Sequence, residues 1–140
     1  MIQKWTTNKT NHEKYMKDLL YKELSYKLNG IAFEIMHLLS SGHREKVYSD
    51  AFEECLKRDK IPYQRELYYP IKINEKIIAQ KYFDFLVDNK IVVEMKAGDK
   101  NYRDACYQLF DYLKFANLKL GLIIRFTNNG ARIKRIPNLR

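Results

Sequence analysis

Residues 82–98, YFDFLVDNKIVVEMKAG, place the tightest constraint on how this chain can fold. They read as two apolar strands joined by a tight turn, yet Asp84, Glu94 and Lys96 stand where a core sequence carries valine. A charged side chain is seldom buried unless it is paired or coordinates an ion, because losing its hydration is costly. Hairpin register decides where the three charges go, since side chains alternate along a strand. Setting Val87 opposite Ile91 puts Phe85 opposite Val93 and Phe83 opposite Met95, which makes one wholly apolar face. A slip of one residue would scatter these side chains over both faces, so this register is favoured. It requires an odd-numbered loop at Asp88-Asn89-Lys90, where Asp and Asn tolerate turn conformations. The other face then carries Asp84 opposite Glu94, with Lys96 next along the strand and Leu86 opposite Val92.

Two carboxylates opposed on neighbouring strands repel each other. A divalent cation between them removes the conflict. Asp84, Glu94, the Met95 backbone carbonyl and water are the oxygen ligands that Mg²⁺ prefers, with Mn²⁺ as a substitute. Lys96, on the same face, can orient or help deprotonate an attacking water and offset charge on a phosphate. The alternative is a solvated face carrying an ordinary lysine–carboxylate pair.

The flanking pattern sets the fold class. Apolar residues at Leu24, Leu28, Ile31, Ala32, Ile35 and Leu39 predict a helix over 22–39, stopped by Ser40-Ser41-Gly42 with Gly42 at C′. A second helix is expected over 45–58, with Val47, Tyr48, Ala51, Phe52, Cys55 and Leu56 as its buried stripe. Strands follow at 64–73, 76–88 and 90–97, then a helix at 101–117 and a strand at 119–126. Thr127-Asn128-Asn129-Gly130 signals a hairpin into a short last strand. A strand–helix–strand unit implies a parallel crossover beside the antiparallel hairpins. The expectation is an α/β protein: a mixed β-sheet with one parallel βαβ crossover, flanked by helices.

Length and composition bound the rest. A chain of 140 residues suits a single domain over 1–140, with residues 1–15 polar and expected to be flexible. No apolar run approaches a membrane span and no apolar leader opens the chain, so a cytoplasmic protein without a membrane partner is expected. Cys55 and Cys106 fall in helical patterns and read as thiols in a reducing compartment. His12, His37 and His43 have no zinc-ligand spacing. The net charge of +9 favours a polyanionic partner, although lysine- and tyrosine-rich composition also arises from AT-rich coding.

Asp84 followed by Glu94-Met95-Lys96 resembles the PD-(D/E)XK nuclease signature, an acid and then (D/E)-x-K on the next strand, with Phe83 replacing the usual proline. Gly42-His43-Arg44-Glu45-Lys46-Val47-Tyr48 is similar to the pattern that names the GxxExxY family within that superfamily. LYKELSYKLNGIAFEI, QLFDYLK and LKLGLIIRF resemble that family in order and spacing from Leu20 onwards. The resemblance implies a restriction-endonuclease-like core and a Mg²⁺-dependent nuclease acting on DNA. It adds Glu45 as a helix glutamate at the metal site and Gln108 as the glutamine that holds the lysine or the substrate. Gln64 matches a further family position. Read locally, Glu45 also fits an ordinary solvated glutamate and Gln108 a satisfied core amide. Tyr48 reads as packing. Arg65, Lys100, Arg103, Arg132, Lys134 and Arg135 are candidates for contacting a nucleic-acid backbone, and solvated surface accounts for them equally well. A non-cleaving nucleic-acid-binding module and a protein-interaction domain are the competing readings, and a homodimer is left open.

Overall fold

The computed structural model describes Asn11 and residues 20–139, so most of the segment expected to be flexible lies outside the described residues. From residue 20 onward the elements are α1 (Lys22–Leu39), α2 (Glu45–Arg58), β1 (Tyr63–Ile73), β2 (Lys76–Val87), β3 (Ile91–Ala97), α3 (Tyr102–Ala116), β4 (Leu120–Thr127) and β5 (Gly130–Pro137). The five strands form one sheet in chain order, antiparallel except for the parallel β3–β4 pair that α3 connects. This is the mixed α/β sheet that the sequence pattern calls for.

Each connection follows from its turn residues. Asn74 and Glu75 both take left-handed backbone (φ 50° and 66°), the geometry that matches the twist of a two-residue hairpin. Asp88 and Asn89 do the same within the three-residue loop, closed by Lys90 N–H donating to the Val87 carbonyl at 2.9 Å. One expectation is corrected at the end of α1. The left-handed residue there is Ser40 (φ 62°), whose N–H donates to the Met36 carbonyl, and Gly42 takes its positive φ in the loop beyond.

The helices bury opposite faces of the sheet. Leu28, Ile31 and Ile35 of α1 and Tyr48, Phe52 and Leu56 of α2 pack against Phe85, Val87, Val93, Met95, Ile124 and Phe126. Leu109, Tyr112 and Leu113 of α3 cover Val92, Ile123, Phe83 and Leu67. The Tyr48 ring stacks on Phe126 at 4.1 Å and its hydroxyl donates to the Ser40 carbonyl at 2.6 Å, tying the end of α1 to the start of α2. Packing is therefore its role here.

The predicted hairpin register holds at Phe85–Val93, Leu86–Val92 and Val87–Ile91, where the β2–β3 pairing ends. Phe83 does not join that apolar face. It packs beneath α3, 4.7 Å from the Tyr112 ring, whereas Met95 stays on the α1–α2 side. Pairing between β1 and β2 also skips Glu66 and Asp84, and Glu66 has φ 63°. A left-handed residue breaks the alternation of a strand, so Arg65 and Phe85 face α2 while Leu67 and Phe83 face α3.

Gly121 sets how deeply α3 lies on the sheet. A Cβ there would stand 2.7 Å from Leu109 Cδ2 and 2.9 Å from its Cγ, and Leu109 is fully buried. We expect Gly121→Ala to destabilise the protein by about 1–3 kcal/mol through overpacking. Urea unfolding followed by circular dichroism checks this, and an unchanged midpoint contradicts it.

Candidate active site

Asp84 lies where β2 and β3 part. Its Oδ2 accepts the Met95 N–H at 2.6 Å, so a side chain takes the place of the main-chain acceptor that a continued ladder would supply. In a strand, the carbonyl of a residue leaves on the same edge as its N–H, so the Met95 carbonyl also faces the gap. Alternation puts Glu94 and Lys96 on the α3 side with Val92, while the Met95 side chain is buried on the other face.

The electrostatics of Glu94 are dominated by burial. Desolvation, then a hydrogen bond with the Asp84 carboxylate and the Asp84 charge, push its pKa well above the carboxylate range, and the Lys96 charge opposes them. Burial beside Asp84 thus favours the protonated form of Glu94.

Glu94, Lys96 and Gln108 line one cavity of about 230 Å³ with Asn101, Asp104 and Ala105. The structure therefore brings Gln108 to the Glu94–Lys96 face from α3, as an exposed amide and not a core one. Asp104 and Asn101 were not singled out from the sequence. Asp104 could have been, because it precedes Gln108 by four residues and shares its side of the helix. Gln64 pairs with Leu86 and is exposed two strands from Glu94.

Glu45 is placed elsewhere. It is exposed in the first turn of α2, where an acid suits the helix dipole, and it does not line this cavity. Its loop borders a separate groove of about 380 Å³, formed by Ser41, Gly42, His43, Gly98, Asp99 and Asn128 among others. Ala97 lines that groove and Lys96 lines the other, so alternation opens the two on opposite faces.

Two of the candidate basic residues are engaged within the fold. Arg65 bonds Asp50 at 2.7 Å and Glu53 at 3.0 Å on α2. Arg135 donates to Ser25 Oγ at 2.8 Å and to the Leu20 carbonyl at 2.7 Å, anchoring α1 to β5. Lys100, Arg103, Arg132 and Lys134 are exposed.

The sequence profile of the PD-(D/E)XK nuclease superfamily matches residues 22–136, a span that runs from the start of α1 into β5, one residue short of its end. The chain belongs to that superfamily. The crystal structure of SSO0001 resembles it over 90% of this chain and 61% of that one, with a TM-score of 0.51 and 18% identity. That likeness is one of fold alone, and this chain spans about three-fifths of the SSO0001 chain. No curated protein matches.

Nucleases of this superfamily typically use divalent metal ions, and the donor chemistry fits one. Two carboxylates and a backbone carbonyl are hard oxygen ligands of the kind Mg²⁺ accepts while keeping several waters. Among the described residues no group of three or more His, Cys, Asp or Glu could hold a metal, so substrate and water would have to complete the shell.

Because the folded-state pKa of Glu94 lies above its unfolded value, the folded protein keeps a proton that the unfolded chain releases. This group stabilises the fold at pH below the ordinary glutamate range, and that stability is lost as pH rises from there. Metal-free Glu94→Gln should accordingly gain in melting temperature over the wild type as pH is raised from about 5 to about 8. A difference that stays constant across that range contradicts the raised pKa.

Proposed function

We propose that this chain is a Mg²⁺-dependent nuclease that hydrolyses phosphodiester bonds in DNA, of the GxxExxY kind. The observation that carries the reading is the Asp84 carboxylate fixed on the Met95 N–H beside a desolvated Glu94. Asp84 and Glu94, with the Met95 carbonyl, would hold the ion. A bound divalent cation supplies charge for the scissile phosphate and lowers the pKa of water.

The remaining roles belong to the chain. Lys96 lines the same cavity as Glu94, and its ammonium would orient the attacking water and offset the negative charge that grows on the phosphate. Gln108, across the cavity on α3, holds the Lys96 side chain or a phosphate oxygen by its amide. Glu45 is assigned a supporting role across the end of β3, so Glu45→Gln should cost less activity than Glu94→Gln. Lys100, Arg103, Arg132 and Lys134 are proposed to contact the nucleic-acid backbone.

Plasmid nicking with Mg²⁺ or Mn²⁺ tests the reading. Lys96→Ala should lower the rate by about 100- to 10,000-fold while leaving metal affinity nearly unchanged. Glu94→Gln should weaken metal affinity and be partly rescued by excess metal. DNA that is bound but never cut would favour a non-cleaving binding module.

DNA affinity should fall about 10-fold or more between about 50 mM and about 200 mM salt, through counterion release. Affinity that does not respond to salt would favour a protein-interaction domain.

A further inference from the structure

Phe115 is 66% exposed on α3, away from the stripe of Ala105, Leu109 and Tyr112 that the helix buries. Asp104, Gln108, Asp111 and Phe115 recur at four-, three- and four-residue steps, which aligns them along one flank of the helix. That flank walls a series of three neighbouring cavities. The cavity at Glu94 and Lys96 shares Gln108 with a second cavity of about 160 Å³ lined by Phe83, Lys81 and Asp111. The second shares Tyr69 and Ile71 with a third of about 300 Å³, bounded by Phe115 and Lys72. The run from Asp104 to Phe115 is about 16 Å at the helical rise of about 1.5 Å per residue.

The chemistry of these cavities separates bases from phosphates. Half-buried Tyr69 lies 4.9 Å from Phe115 and 5.3 Å from Tyr112, ring centre to ring centre, so the exposed Phe115 ring is supported by packing. Packed rings offer flat apolar surface with little entropy left to lose, which suits stacking of nucleobases. The Gln108 amide and Asp111 carboxylate can bond base edges. Asp104 disfavours a phosphate backbone at the α3 wall, the Asp111 charge being partly offset by Lys114 at 3.4 Å, while Lys81 and Lys72 attract it to the strand wall. A duplex hides its base faces and presents phosphates, which this wall disfavours. An unpaired strand can turn its bases inward.

We infer that the groove from Lys96 to Phe115 is a base-stacking subsite for an unpaired nucleic-acid strand. This rests on the nuclease reading for its biological use but not for its test. The enzyme would select single-stranded or splayed substrate, and Phe115 and Tyr69 are positioning residues that hold the strand next to the catalytic pocket.

Fluorescence anisotropy in metal-free buffer, with a labelled oligoadenylate DNA and a blunt duplex of equal length, tests the inference without requiring cleavage. Wild type should prefer the single strand. Phe115→Ala should weaken single-strand binding by about 5- to 100-fold, in line with the loss of one stacked base, while leaving duplex binding unchanged and the protein folded by circular dichroism. Phe115→Trp should restore it. Single-strand binding through Phe115 by a protein that cuts nothing upholds the subsite and removes the nuclease reading. Cleavage that ignores Phe115→Ala, with equal affinity for both DNAs, overturns the subsite alone. If Phe115→Ala leaves single-strand binding intact but converts a dimer to a monomer in light scattering, the groove is an interface between copies and the inference is overturned.

Discussion

The hydrogen bond from the Met95 N–H to the Asp84 carboxylate is the contact on which both fold and site depend. A carboxylate accepting an amide proton makes a stronger bond than a carbonyl does, so it can end a strand pairing without leaving the donor unpaired. Because β2 and β3 part at that point, Phe83 is free to turn beneath α3, and a gap opens at the edge of β3. The same bond fixes Asp84 beside Glu94, whose burial raises its pKa and favours its protonated form. A sheet defect and a candidate ligand pair are thus one feature.

The two faces of the sheet divide the work. The α1–α2 side is closed by structural contacts: Tyr48 stacked on Phe126, Arg65 forked onto α2, and Arg135 drawn into the end of α1. The exposed ion pairs there, such as Arg58 with Glu34, contribute little each in water. The α3 side combines a buried stripe with a polar flank, and Gly121 lets that helix approach closely enough for Gln108 to share a cavity with Lys96. Part of the positive charge that looks available for a polyanion is consequently committed to holding helices in place.

Much of this was legible from residue order. Alternation of Val87, Phe85, Ile91 and Val93 determined the hairpin register, because any slip would expose that set to water. Turn residues at 74–75 and 88–90 and the helical spacing of α1, α2 and α3 determined element type and chain order. The same rules misplaced Phe83, since alternation assumes that a strand stays paired along its length. They also could not say whether Glu45 and Gln108 belong together, because each lies on a helix whose docking face is set by distant residues.

The sequence by itself therefore determined the elements, the register up to Phe85 and Val93, and the presence of Asp84, Glu94 and Lys96 on adjoining strands. These follow from local periodicity and turn chemistry, which act over a few residues. Tertiary structure alone decided that β2 leaves β3 at Asp84, that Gln108 shares a cavity with Lys96 while Glu45 lies outside it, and that Arg65 and Arg135 turn inward. Those outcomes depend on long-range packing, above all Phe83 against Tyr112 and Tyr69, and on the left-handed backbone at Glu66. No short stretch of sequence encodes a contact whose partner lies on another element.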